Sequence, residues 1–339
     1  MLESTQEKAP FTTDEFETAV STLSKLQTGL QKIIKGRDDT INLVLTALAA
    51  DGHILLEDYP GSGKTTLTKA LGGLIGKDTH EQVSGDFHAF RRIQFTPDML
   101  PGDVLGVSIF DPQAGSFSFK RGPVFSHIVL ADEINRTGPK VQAAFLECMA
   151  EKQVTIDSET HPLDDFFFVV GTQNPLDLAG TYPLPLVQLD RFLLKIPMQY
   201  VDSATELSIL ETHQEITNSA KTLSPVSTRS DILHIRQIAK DVYVHPRLRK
   251  TIVDIMKATR ESPLLQFGAS TRAALMLQQA LKAKALVDGR DHVNEDDLKL
   301  ITPFVLGHRL RFHGSARNQR ELLDELLLPH MESLVSAGL

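Results

Sequence analysis

The segment Pro60-Gly61-Ser62-Gly63-Lys64-Thr65-Thr66 follows the apolar run His53-Ile54-Leu55-Leu56 and opens the helix-compatible stretch Leu67-Thr68-Lys69-Ala70-Leu71. Strand, glycine-rich loop and helix in that order mark a phosphate-binding loop, and they commit this part of the chain to an α/β fold. Glycines let the backbone curl so that successive N–H groups face phosphate oxygens, and the new helix adds the positive end of its dipole. Gly61, Ser62, Gly63, Lys64, Thr65 and Thr66 form the expected cradle, with Lys64 reaching the β- and γ-phosphates. The Thr65 hydroxyl is of the kind such loops place on Mg²⁺, so the implied ligand is ATP or GTP with Mg²⁺. One position departs from the usual spacing: Asp58 stands five residues before Gly63, where a glycine is the rule. A carboxylate there tolerates the turn but works against a triphosphate.

A chain of 339 residues accommodates two domains, and 41% hydrophobic with 23% charged residues is the balance of a globular protein with a sizeable core. The net charge of −8 argues against a general nucleic-acid binder, although Arg247-Leu248-Arg249-Lys250 is a local basic cluster. The single cysteine, Cys148, has no internal disulfide partner; its spacing among Phe145, Leu146 and Met149 predicts a packed core thiol. No stretch has the apolar length of a membrane span, and the start Met-Leu-Glu-Ser-Thr-Gln-Glu-Lys lacks the regions of a signal peptide. The expectation is a cytoplasmic protein with no membrane insertion, disordered over residues 1–10.

Helical spacing over residues 16–34 and 40–50 precedes the strand that feeds the loop. Buried parallel strands are expected at the apolar runs 92–95, 124–131 and 166–170. Residues 103–120 and 154–162 alternate polar and apolar and read as inserted hairpins. Beyond Ile196-Pro197 the pattern turns helical, over 203–217, 230–242, 246–262, 271–288 and 294–306, so a helical domain is expected over 201–339 after an α/β domain over 1–200.

The run Ile128-Val129-Leu130-Ala131 ends in Asp132-Glu133, a strand end that delivers two carboxylates toward the loop. Asp132 is assigned to Mg²⁺, and Glu133 to orienting and deprotonating the attacking water. A further strand end presents Asn174, whose amide can donate to the γ-phosphate or accept from that water; Asn-Pro is equally a turn former.

The chain resembles the MoxR family of AAA+ ATPases. The resemblance rests on Gly52-His53-Ile54-Leu55-Leu56-Glu57, Arg92-Ile93-Gln94-Phe95-Thr96-Pro97-Asp98, Ala131-Asp132-Glu133-Ile134-Asn135-Arg136, Gly171-Thr172-Gln173-Asn174-Pro175 and Gly180-Thr181-Tyr182-Pro183-Leu184-Pro185. Gln188-Leu189-Asp190-Arg191-Phe192 and Gly268-Ala269-Ser270-Thr271-Arg272-Ala273 extend it across nearly the whole chain. It implies an AAA+ domain with inserted hairpins followed by a helical lid. It also implies a ring, usually hexameric, with ATP between the α/β domain, the lid and a neighbouring subunit. Arg191 then corresponds to the finger offered to that neighbour, and Arg272 to a sensor reporting γ-phosphate to the lid. Arg136 is a weaker candidate for a contact across subunits, and Ile33, Ile34 and Gly36 occupy the place where the family packs adenine. The two hairpins correspond to insertions of the helix-2-insert branch. Leu186 stands where the family has Glu, and Gly138 where it has Pro.

By that resemblance the leading expectation is a chaperone-like ATPase acting on a von Willebrand factor A domain protein or a metal-dependent complex. The alternatives are a nucleic-acid-stimulated motor, disfavoured by the acidic balance, and a slow nucleotide-dependent assembly switch, suggested by Asp58 and Leu186.

Overall fold

A computed structural model describes residues 11–58, 61–76, 78, 87–113, 115–174, 180–313 and 319–335. Residues 1–10, Pro60, Pro175 and the side chain of Asp58 lie outside the described part. A parallel sheet forms from β1 (His53–Asp58), β2 (His88–Gln94), β3 (Ser126–Asp132), β4 (Phe168–Gln173) and β5 (Phe192–Met198), in the order β5-β1-β4-β3-β2. Every residue of β3 is buried, as expected of an inner strand covered on both faces. The fifth strand escapes the apolar-run reading because Lys195 and Pro197 interrupt it. It pairs only with β1, and at such an edge the missing N–H of proline is tolerated.

Side chains alternate between two hydrophobic clusters, following the two-residue period of a strand. Ile54, Leu56, Ile128, Leu130, Val170 and Leu194 face one cluster, while Leu55, Val129, Ala131, Phe167 and Val169 face the other. The second cluster is closed by the helix Pro139–Glu151 through Phe145, Leu146 and Met149. Cys148 is buried there, its thiol pushed up by desolvation, in line with a core role. The two hairpins are present as Gly106–Asp111 with Ser116–Arg121 and Gln153–Ile156 with Glu159–Pro162. They meet where the His161 ring stacks on Phe119 at 3.9 Å.

The helical half comprises Ser203–Glu211, His213–Lys221, Arg229–Asp241, Pro246–Glu261, Thr271–Val287, Glu295–Leu306 and Gln319–Val335. The helix expected over 203–217 is two, parted at Thr212, and the last helix was not anticipated. Asn294 and Asp297 form a reciprocal capping box, and Gly289 adopts φ 75° just past the preceding helix. The change in texture after Met198 marks the end of the sheet, yet packing continues across it. Leu26 and Leu30 of the helix Thr13–Ile33, Leu45 and Leu48 of Asp38–Ala49, and Leu277, Leu281 and Ile301 of the helical half share one cluster with a face of the sheet. The helical half is thus seated behind the sheet, against the first two helices.

Candidate active site at the C-terminal edge of the sheet

The phosphate loop leaves the end of β1 and turns into the helix Lys64–Leu74. Gly61 and Gly63 adopt φ 88° and 92°, and a Cβ at either would meet nothing within 4 Å. The requirement for glycine is therefore conformational, since L residues avoid this region. No N-cap side chain hydrogen-bonds to the helix start, and Ser62 Oγ is buried without a hydrogen-bond partner. A phosphate chain would supply a partner for that hydroxyl and suits the positive end of the helix.

Strand β3 brings its carboxylates to the same edge. Lys64 Nζ lies 3.3 Å from Asp132 Oδ1, which also accepts the Thr172 hydroxyl at 2.8 Å. Arg92 donates to the other oxygen, from Nη2 at 2.6 Å and Nε at 3.0 Å. Burial opposes ionisation of Asp132, but the hydrogen bonds from Arg92 and Thr172 and the Lys64 charge overcome it and hold the carboxyl below the usual carboxylate range. Its neighbour Glu133 has a left-handed backbone, φ 57° and ψ 49°, which turns the chain and directs its side chain differently. The Glu133 N–H donates to Thr172 Oγ1 at 2.9 Å, while its Oε2 accepts Gln94 Nε2 at 2.8 Å and faces Arg136 Nε at 3.1 Å. Asn174 directly follows β4 at this edge, and Thr65 and Thr66 lie in the first turn after the loop. The donor set fits a nucleotide with a hard divalent ion: an ionised Asp132, a threonine hydroxyl beside Lys64, and a helix start without a side-chain cap.

Arg191 and Arg272 are not brought to this edge. Phe192 is level with His53 at the beginning of β1, whereas the loop follows Asp58, which is level with Met198. Five strand steps of about 3.3 Å put Arg191 at least about 17 Å from its own chain's phosphate loop. Arg272 is there with it, its Nε 3.7 Å from Asp190 Oδ2, so it does not stand over its own phosphate site as a lid sensor would. Arg309 completes this far cluster, donating to Asp190 Oδ1 at 2.8 Å and to the Phe192 carbonyl at 2.7 Å. Burial lowers the Arg309 pKa to about 10, against the opposing pull of Asp190, so it remains charged at neutral pH. Arg191 Nη1, by contrast, is buried without a hydrogen-bond partner.

The side chains of Ile33 and Ile34 are in the core, and Gly36, at φ 67°, abuts Thr205: a Cβ there would come within 2.4 Å of Thr205 Cγ2. Arg136 contacts Glu133 of its own chain. Sequence reasoning passed over Arg92, Gln94, Thr172 and Arg309. For the first two a signal was present: polar residues two apart at the end of a strand, with Gln94 in register with Asp132. His308 is buried with Nε2 2.9 Å from the Phe192 carbonyl oxygen.

A five-stranded sheet in this order, with a phosphate loop after β1, paired carboxylates after β3 and helices packed behind, defines an AAA+ ATPase. The model of the ATPase family associated with various cellular activities matches residues 53–194, and that of the AAA lid domain matches 257–327. The chain is 37% identical over 300 residues to Chaperone MoxR1 of Mycobacterium tuberculosis, covering 86% of this chain and 76% of that one. It is 41% identical to the uncharacterized protein YeaC of Bacillus subtilis, over 92% of this chain and 97% of that one. A crystal structure of a candidate ATPase from Cytophaga hutchinsonii superposes with a TM-score of 0.83 at 36% identity, covering 93% and 96% of the two chains. The protein belongs to the MoxR family of AAA+ ATPases. Among the described residues no helix is long and apolar enough to cross a membrane.

Proposed function

We propose that the protein hydrolyses ATP in a ring of copies, usually a hexamer in this family, and uses the cycle to remodel or activate a partner protein. The observation that carries the ATPase chemistry is the 3.3 Å approach of Lys64 to Asp132, which unites the loop and the carboxylate pair in one site. Gly61, Ser62, Gly63 and Thr66 bind the phosphate chain through backbone and hydroxyl donors, and Lys64 neutralises its β- and γ-oxygens. Thr65 and Asp132 would hold Mg²⁺, which supplies charge neutralisation of the phosphates when bound. Glu133 takes a proton from water as the water oxygen attacks the γ-phosphorus, and ADP leaves with the bonding electrons of the broken P–O bond. Asn174 orients that water or the γ-phosphate without adding charge. The backbone around Ile34 and Gly36, with Ile33 behind it, receives the adenine.

Both far-edge arginines face a neighbour's nucleotide in this reading. Their separation from their own loop supports it, as does the unpartnered Nη1 of Arg191. A guanidinium supplied from the next subunit makes turnover depend on assembly. The chaperone-like use rests on the relative that bears that name; a von Willebrand factor A domain protein or a metal-dependent complex is the client class proposed. The test is capture by the Glu133→Gln protein loaded with Mg·ATP. Recovery of such a partner, lost when ATP is omitted, supports the reading, whereas recovery of nuclease-sensitive complexes favours a nucleic-acid motor. A slow assembly switch is the second reading, favoured by the hold of Gln94 and Arg136 on Glu133. Fast single-turnover hydrolysis would eliminate it.

A further inference from the structure

Asp132 is asked to serve more cations than one carboxylate accommodates. Its Oδ1 faces Lys64 and accepts Thr172, its Oδ2 accepts two N–H groups of Arg92, and only 3% of the side chain is exposed. One negative charge in a largely desolvated position thus already balances two positive ones. A divalent ion held by the same carboxylate, directly or through water, adds two more, and screening is weak there. The nucleotide's phosphates bring negative charge and draw Lys64 to themselves, so each resident cation opposes the metal only as far as it fails to move away.

The two differ in their freedom to do so. Lys64 is 17% exposed and belongs to the loop that binds the phosphates; Thr172 is neutral. Arg92 is 47% exposed and projects from β2, an edge strand of the sheet. Its second contact, to Gln94 Oε1, is with a neighbour two residues on along the same strand. Building on the ATP and Mg²⁺ reading above, the geometry points to Arg92 as a built-in rival of the divalent metal at Asp132. Its guanidinium holds Oδ2 and opposes the charge of a metal drawn to the same carboxylate, and Arg92 therefore raises the amount of metal the nucleotide site needs. Arg92 is a positioning residue in this scheme, because it acts through Asp132.

The experiment uses the full chain, a fluorescent methylanthraniloyl-ADP and a Mg²⁺ titration from an EDTA-treated start, so that binding is the readout. Arg92→Gln and Arg92→Met, both neutral, lower the Mg²⁺ midpoint for nucleotide binding about tenfold, the scale of losing one charge-assisted competitor. Arg92→Lys keeps the charge and stays within about twofold of the parent. Mn²⁺ binding followed by electron paramagnetic resonance, in the presence of ADP, shifts in the same order. A midpoint that is unchanged or raised in a neutral variant with the parent's melting curve overturns the proposal while leaving the site reading intact. A parent protein that binds no nucleotide at any metal concentration overturns both.

Discussion

The two ends of the sheet hold similar ingredients to opposite effect. At the C-terminal edge two carboxylates, Asp132 and Glu133, are surrounded by Lys64, Arg92 and Arg136, and the groups proposed to react are the anions. At the N-terminal edge Asp190 binds Arg309 and Arg272, while the adjacent Arg191 keeps Nη1 unpartnered, and the group left over is a cation. A buried carboxylate bound by cations it can exchange is equipped for ligand chemistry. One clamped to Arg309, which also grips the carbonyls of Phe192 and Leu193, is a fastener between the sheet and the helical half. In the function proposed above, each chain carries complementary halves of a site about one strand length apart, which a second copy would join.

Mixing variants is the direct way to break this comparison. Arg191→Ala should cut turnover of the assembled protein about 10³-fold or more with nucleotide affinity unchanged, as loss of an arginine supplied across subunits does. Blending it with Lys64→Ala protein should restore part of the rate, because mixed assemblies pair an intact loop with an intact finger. A blend no faster than its components would show that the two edges do not meet. Glu133→Gln should keep nucleotide binding and lose about 10²- to 10⁴-fold in hydrolysis, measured in single turnover. Lys64→Ala should weaken fluorescent-nucleotide binding by about 100-fold, corresponding to about 3 kcal/mol for a desolvated charge contact. At the other edge Arg309→Met should act on stability instead. Leaving Asp190 without its main partner costs about 3 kcal/mol, seen as a lowered melting temperature with nucleotide affinity retained.

The most gradual expected effect concerns pH. His53, at the start of β1, accepts the Val169 N–H at Nδ1, and its Nε2 contacts the Met149 carbonyl, so the neutral ring with hydrogen on Nε2 is the form that fits. Desolvation is the main cause that lowers its pKa to about 4. The unfolded chain, with a histidine pKa near about 6.5, takes up the proton first. Stability is therefore undiminished above about pH 6.5 and falls as pH drops toward about 4, by up to about 3 kcal/mol. Melting temperatures between pH 7.5 and 4.5 should slope less steeply in His53→Gln than in the parent. Equal slopes would mean that the ring is not held neutral.

Local order made the reacting edge legible in the sequence. A strand, glycine loop and helix are contiguous in the chain, and Asp132-Glu133 closes an apolar run, so their chemistry could be read before their positions were known. The hairpins and most helices followed from period and caps. What stayed hidden depends on register between distant segments. Arg92 reaches Asp132 across 40 residues, and Arg309 reaches Asp190 across 119. Polar residues closing a strand mark Arg92, but neither pairing can be named without that register. The fifth strand was masked by Lys195 and Pro197, tolerable only at an edge, and edge position is a property of the sheet. Whether Arg272 faces its own phosphates or a neighbour's was not legible, because the resemblance supplies roles but not where the helical half is seated.

The left-handed backbone of Glu133 carries a further consequence. A residue with a Cβ in that region costs about 1 to 2 kcal/mol relative to glycine, and asparagine also sits there more easily. Glycine or asparagine at position 133 should therefore raise heat resistance while removing the group proposed to accept the proton. A library screened for thermal survival alone would enrich such replacements, so this protein cannot be hardened by that route without also scoring the work it does.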